Sequence, residues 1–266
     1  MNGEAVTMNV AAFRYGRRAA IDPAALDALV KPAPQAVNDS LKLSKSFAET
    51  VDRRTAFLTA YQNERYARRY RDCVEKVKTA EANKAPGQCA LSDTVARYLF
   101  KLMAYKDEYE VARLYADPSF VERVKSTFDG DNLRLEFHLA PPLLARRDAV
   151  TGEPRKMSFG PWLLKAFGVL AKLKFLRGTP LDPFGHSAER RTERRLIAEY
   201  EKLLGEIVER LTPDNHHVAV ELASLPEKIR GCGHVKQRHL AAVKAEEAAL
   251  REQFGAGSTP FLKAAE

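Results

Sequence analysis

The stretch that decides the fold is residues 187–211, SAERRTERRLIAEYEKLLGEIVERL. Its apolar residues recur every three or four positions, which places them on one face of an α-helix. Ser187 can accept a hydrogen bond from a free amide at the start of that helix. The stretch therefore predicts a long amphipathic helix. Its apolar face consists of Leu196, Ile197, Tyr200, Leu203, Leu204, Ile207 and Leu211.

Helical patterns continue on both sides of this stretch and are separated by proline and glycine. Residues 133–139 differ, because apolar and polar residues alternate there with the period of a half-buried strand. The predicted fold class is therefore mainly α, a helical bundle-like domain with one short strand or hairpin near 133–139. The predicted helices cover residues 8–20, 43–82, 92–115, 161–175 and 212–225, with a short helix from Pro118 and a last one from near Val235.

Composition excludes several classes of protein. The 266 residues carry 43 Lys and Arg against 35 Asp and Glu, and 45% are hydrophobic, as in globular rather than disordered or fibrous chains. Three cysteines cannot form a disulfide framework in a chain of this size, which indicates a reducing compartment. No stretch reaches the roughly 20 apolar residues of a membrane helix, and the first residues do not resemble a signal peptide. We expect a cytoplasmic protein that does not bind membranes.

The common motifs of catalytic and cofactor sites do not occur in the sequence. It has no glycine-rich phosphate loop, no Cys-x-x-Cys pair, no Gly-x-Ser-x-Gly elbow and no His-Glu-x-x-His helix. Residues 129–132 (DGDN) favour a turn rather than a thiamine-diphosphate metal site, because the site's first glycine and its later asparagine pair are missing. We therefore predict no catalytic residue, no metal site and no cofactor bound by this chain itself.

Two basic clusters could bind an anionic partner. In residues 65–71 (RYARRYR), arginine and tyrosine alternate on a helix, which could hold phosphates and stack bases. A solvated helix face with inward tyrosines is the favoured interpretation, because no nucleic-acid-binding module accompanies the cluster. The second cluster begins at Arg146 and Arg147 and continues through residues 155–177. It suits a carboxylate, a phosphate or an acidic protein surface, and it equally suits a role in solubility and local ion pairs.

The candidate anion- or partner-binding site lies in two turn-rich segments, residues 138–148 and 225–236, because exposed charge on loops usually serves binding. A metal site at residues 232–234 is not favoured, since Cys232 and His234 are too few ligands. His216 and His217 are expected on an exposed helix surface, and Cys73 is expected to be an inert core thiol. The candidate site residues are His138, Arg146, Arg147, Arg230, His234 and Lys236.

Five strings, in the same order, resemble the C-terminal region of indolepyruvate:ferredoxin oxidoreductase-type proteins. They are residues 98–115 (YLFKLMAYKDEYEVARLY), 137–148 (FHLAPPLLARRD), 159–162 (FGPW), 176–185 (LRGTPLDPFG) and 225–236 (LPEKIRGCGHVK). Residues 2–20 are similar to the end of the gamma-type domain that precedes this region. The resemblance therefore implies a division of the chain. Residues 1–30 would be the tail of that gamma-type domain, 31–43 a linker, 44–254 an α-helical C-terminal accessory domain and 255–266 a flexible tail.

The family oxidatively decarboxylates 2-oxoacids to acyl-coenzyme A with thiamine diphosphate, magnesium and iron–sulfur clusters, and passes electrons to ferredoxin. The resemblance implies that these cofactors belong to upstream catalytic domains, which would be the partners of this chain together with ferredoxin. The isolated chain is expected to be inactive and to have a structural or docking role. The alternative is a stand-alone helical binding module that contacts nucleic acid or a protein through its basic clusters.

Overall fold

The computed structural model describes residues 6–24, 43–128, 134–140, 155–231 and 233–255. These ranges contain ten α-helices and one two-stranded antiparallel sheet, which confirms the predicted mainly α class with a short hairpin. The helices are α1 (Val6–Ile21), α2 (Phe47–Tyr61), α3 (Glu64–Lys84), α4 (Ala90–Met103), α5 (Glu108–Ala116), α6 (Pro118–Thr127), α7 (Leu163–Lys172), α8 (Ala188–Arg210), α9 (His216–Ser224) and α10 (Gly233–Gly255). The strands are β1 (Phe137–Leu139) and β2 (Met157–Phe159).

The chain divides into two compact units. Residues 1–42 and 118–133 form the first, whose described helices α1 and α6 bury no side chain. Residues 43–117 and 134–266 form the second, which contains the other eight described helices and the hairpin. Across the described ranges, every helix is too short or too polar to cross a membrane.

The core of the second unit lies between α2, α3, α4, α8, α9 and α10. Helix α8 follows Ser187, whose side chain accepts a hydrogen bond from the amide of Arg190 at 3.2 Å, as the sequence predicts. Its inward face packs against α3 and α4 and belongs to the same apolar cluster as α9. The buried residues of α8 in this core are Ile197, Tyr200, Leu203, Leu204 and Ile207.

Two of the predicted helices are each divided in the structure. The pattern over 43–82 becomes α2 and α3, because Asn63 starts a new helix by accepting a hydrogen bond from the amide of Tyr66 at 2.9 Å. The pattern over 92–115 becomes α4 and α5, because Asp107 accepts one from the amide of Glu110 at 2.8 Å. The two long predicted helices were therefore wrong. The divisions occur at these positions because Asn and Asp side chains favour helix starts over helix interiors.

The hairpin pairs Phe137 with Phe159 and Leu139 with Met157 in antiparallel register. Phe137 is buried and its ring meets the rings of Tyr115 and Phe167 edge-on, at centroid distances of 5.3 and 5.6 Å. These rings join β1 to α5 and α7. The strand predicted near 133–139 is therefore present at residues 137–139, and it is anchored by its first side chain, Phe137.

A buried polar cluster joins α3, α4 and α9. Glu81 accepts hydrogen bonds from the amides of Leu91 and Ser92, both at 2.9 Å, and from the Ser92 hydroxyl. His216 Nε2 lies 2.7 Å from Glu81 Oε1, and this histidine is only 5% exposed. The prediction that His216 is an exposed helix residue was wrong, because the buried carboxylate of Glu81 needs a partner and α9 supplies it.

Candidate functional site

The structure places three of the six predicted site residues with their side chains. Arg146 and Arg147 lie outside the described residues, and His234 belongs to α10 without a described side chain. His138 is exposed on β1, where its Nδ1 lies 3.0 Å from the hydroxyl of Ser158 on β2. No hydrogen bond or ion pair among the described residues joins His138 to Arg230 or Lys236.

Arg230 lies in a segment that wraps around Lys101 of α4. The Lys101 ammonium donates to the carbonyls of Pro226, Glu227 and Ile229 at 2.7, 3.1 and 3.2 Å. Burial lowers the pKa of Lys101 below its ordinary value, and the positive charge of Arg230 lowers it further. The Arg230 guanidinium forms a 3.3 Å ion pair with Glu227 and remains largely exposed.

Lys236 belongs to a chain of alternating charges that joins three helices. Its ammonium lies 2.8 Å from a carboxylate oxygen of the buried Glu193 of α8, whose other oxygen accepts from Arg190 at 2.6 Å. Arg190 reaches on to Glu108 of α5 at 3.4 Å. The charge of Lys236 is thus balanced inside the protein, while Arg230 is the more available cation of this segment.

A second polar centre, which the residue patterns did not single out as a site, surrounds Arg177. Its guanidinium donates to both carboxylate oxygens of Asp107 at 2.5 and 2.9 Å and to the Tyr61 carbonyl at 2.6 Å. It also lies 3.7 Å above the centre of the Tyr61 ring. Arg177 is 9% exposed and Asp107 is 3% exposed, so this ion pair is buried. It connects the segment after α7 to the end of α2 and to the start of α5.

Asp182 closes the loop that follows Arg177. It accepts hydrogen bonds from the amides of Gly178 and Phe184 at 2.8 and 3.1 Å and from the Tyr109 hydroxyl at 3.1 Å. A Cβ at Gly185 would lie 2.5 Å from the Asp182 carboxylate, so that glycine permits the close turn. Burial and the Asp182 charge raise the pKa of Tyr109 above its ordinary value. The Gly, Pro and Asp content of residues 176–185 was the signal for this closed loop.

The basic helix α3 uses its tyrosines for packing. The Tyr66 and Tyr70 hydroxyls donate to backbone carbonyls of α4, those of Met103 and Ala96, at 3.0 and 2.9 Å. Arg69 forms two 2.6 Å hydrogen bonds with Glu201, and Arg71 pairs with Asp52. The two tyrosine rings are therefore held against the protein, where they cannot stack on bases.

Cys73 and Ser92 are potential nucleophiles among the described residues. No group of three or more His, Cys, Asp or Glu side chains in the described part of the chain could hold a metal ion. Burial raises the pKa of the Cys73 thiol to about 11, which suppresses the reactive thiolate at neutral pH. Ser92 donates to Glu81 inside the core rather than to a histidine at a surface. The buried polar contacts of Arg177 and Glu81 join neighbouring helices to one another.

Comparison with known proteins identifies a family but no individual relative. A search of curated proteins and a search of solved structures each found no similar protein. A family model described as "Family of unknown function (DUF6537)" matches residues 47–249. This range includes Arg177 and its buried partner Asp107, Lys101 and the carbonyls that it binds, and helices α2 to α9. Because the match covers well over half of the 266 residues, the chain belongs to the DUF6537 family of unknown function.

Proposed function

We propose that this chain is the α-helical accessory domain of a 2-oxoacid:ferredoxin oxidoreductase of the indolepyruvate type, working in the cytoplasm. In that enzyme, upstream domains would decarboxylate the 2-oxoacid and form the acyl-coenzyme A. The chain itself would have a structural or docking role and would supply no catalytic residue. The proposal begins from the resemblance of five strings to the C-terminal region of that family.

One structural observation supports the accessory role. The first string contacts the fourth and the fifth directly: Asp107 pairs with Arg177 of the fourth, and Lys101 donates to carbonyls of the fifth. The charged residues of these strings are therefore largely used in internal contacts. Residues kept for catalysis would instead be expected around an open cleft with unsatisfied functional groups.

The described residues do not fit the cofactors of the full enzyme. An iron–sulfur cluster needs four thiolates, whereas Cys73 is half-buried on α3 and Cys89 lies exposed before α4. A thiamine-diphosphate magnesium site needs grouped carboxylates and amides, and residues 129–132, which distantly resemble one, lie outside the described residues. The proposal accordingly assigns thiamine diphosphate, magnesium and the clusters to the partner domains.

The test is reconstitution with a polypeptide that carries the catalytic domains of the indolepyruvate-type enzyme. The purified chain alone is expected to give no viologen reduction with indolepyruvate and coenzyme A. The catalytic polypeptide is expected to copurify with the chain and to lose activity or assembly without it. Activity of the chain alone, or a catalytic polypeptide that neither binds it nor changes without it, would refute the proposal.

The second candidate is a stand-alone helical binding module. Its nucleic-acid version has little support in α3, because the Tyr66 and Tyr70 hydroxyls are bound to α4. Its protein-binding version is supported by a basic and apolar surface on α7. A genome in which no thiamine-diphosphate domain is encoded next to this chain would favour this candidate.

A further inference from the structure

The outward face of α7 combines exposed apolar and basic side chains. Trp162, the N-cap residue just before α7, and Val169 are 61% and 63% exposed, and Lys165 and Lys172 are exposed between and beyond them. At 100° per residue these four side chains fall within an arc of about 80°, and the strip is about 15 Å long. We call these four residues the α7 strip. Phe175, which is 62% exposed, follows at its carboxyl end.

The opposite face of α7 fixes the strip on the protein. Leu163 and Phe167 are buried, and the Phe167 ring stacks on Tyr115 of α5 with centroids 5.3 Å apart. The Trp162 ring meets Phe159 of β2 edge-on at 6.1 Å. The strip is therefore presented by a helix whose other side is packed, which reduces the entropy lost when a partner binds.

Within residues 155–181, positive charge around the strip has no acidic counterpart. Residues 155–181 contain six Lys or Arg and no Asp or Glu. Arg177 is buried against Asp107, and Lys174 donates to the carbonyl of Ala60. The other four cations form no ion pair with any described residue. They are Arg155, Lys156, Lys165 and Lys172.

We propose that the α7 strip is a docking site for an acidic protein segment, with Trp162 and Val169 as the apolar anchors and Lys165 and Lys172 as the charged contacts. Aromatic side chains surrounded by complementary charge are typical of the residues that dominate protein interfaces. This proposal goes beyond the accessory role and does not depend on which enzyme the chain belongs to.

The geometry favours a protein over a lipid surface. A helix that inserts at a membrane interface needs an apolar face at least about 100° wide. The strip is narrower, and Lys165 and Lys172 lie within it, so insertion would carry both ammonium groups towards the acyl chains. Docking against carboxylates leaves the ammonium groups solvated at the rim and buries only the apolar anchors.

The test uses the full chain and a fluorescein-labelled helical peptide of about 18 residues, longer than the strip. One face of the peptide helix carries alternating leucine and glutamate side chains. The peptide contains no tryptophan or tyrosine, so that protein fluorescence reports Trp162. Binding is measured by anisotropy and by the emission of Trp162, the only tryptophan of the chain. We expect saturable binding, a blue shift of Trp162 emission and a weakening of about tenfold or more between about 0.05 and 0.5 M salt.

Variants locate the site. The double variant Lys165→Glu with Lys172→Glu is expected to weaken peptide binding about tenfold or more. The matched control is Lys76→Glu with Lys202→Glu, which makes the same charge change at exposed positions on α3 and α8 and should change binding less than about threefold. Circular dichroism melting curves verify that both variants fold.

Three results would overturn the proposal: no binding of the acidic peptide, equal weakening by the two double variants, or an unshifted Trp162 emission on binding. The proposal also fails if vesicles with phosphatidylserine, or a DNA duplex, shift Trp162 emission and bind at lower concentration than the peptide. A peptide with serine in place of leucine should bind at least about fivefold more weakly, since it lacks the apolar contact. Equal binding of that peptide would refute the anchor role of Trp162 and Val169.

Discussion

Replacing Arg177 by methionine removes a guanidinium from the protein interior and leaves the Asp107 carboxylate without its main partner. Asp107 is 3% exposed, and the only other described hydrogen bond to its carboxylate is from the amide of Glu110. The Tyr61 carbonyl loses its 2.6 Å donor as well. Breaking a buried ion pair on one side costs about 3–5 kcal/mol, because the remaining charge is uncompensated. Since domains are stabilised by only about 5–15 kcal/mol, the loss should be plain in urea unfolding.

The matched control is Arg69→Met. Arg69 also makes two hydrogen bonds to one carboxylate, at 2.6 Å each to Glu201, but its side chain is 46% exposed against 5% for Arg177. Exposed ion pairs contribute about 0–1 kcal/mol, so this variant should unfold close to the parent. The comparison keeps the substitution and the bidentate pairing with a carboxylate, whereas Arg177 differs in its burial and in its added contacts with Tyr61.

A double variant isolates the effect of the unpaired charge. Arg177→Met combined with Asp107→Asn has no buried charge, so it should be more stable than the sum of the two single losses implies. Unfolding is followed by circular dichroism in urea, with the midpoint and slope fitted for each variant. A loss below about 1 kcal/mol for Arg177→Met, or one equal to that of Arg69→Met, would refute the buried-pair reasoning.

Three further predictions concern the core and the turns. Burial opposes ionisation of Glu81, yet hydrogen bonds from His216, Ser92 and backbone amides lower its pKa below the ordinary 4.5. The free energy of unfolding should therefore fall as the pH drops below about 4.5. Glu81→Gln should make that fall smaller, as urea unfolding at a series of pH values would measure. With its thiol pKa raised to about 11, Cys73 should be alkylated more slowly at pH 7.5 than the exposed Cys89, as peptide mass mapping would measure; equal rates would contradict the burial. Gly231→Ala should destabilise the protein by about 1–2 kcal/mol, because φ at Gly231 is +83° and a Cβ there would lie 2.9 Å from a methyl carbon of Val235. An unchanged melting curve would contradict this.

Local sequence was sufficient for the helical class and for several element boundaries. Apolar spacing gave the buried face of α8, and Ser187 marked its start, because helix periodicity and capping depend on residues close in sequence. The alternation near 133–139 located β1 for the same reason. The divisions at Asn63 and Asp107 were missed, although both carry capping side chains, because the apolar pattern continues across them.

Only the tertiary structure decided which charged side chains are paired within the protein and which remain exposed. The partners of Arg177, Glu81 and Lys101 lie between 10 and 135 positions away in the chain, so no local pattern reveals them. His216 could be placed on a helix from sequence, but its burial depends on where α9 packs. For the candidate site, sequence selected turn-rich segments, and the structure separated the exposed Arg230 from Lys236, whose charge is balanced by Glu193. It also showed the outward face of α7, because exposure is a property of the packed molecule and not of the residue type.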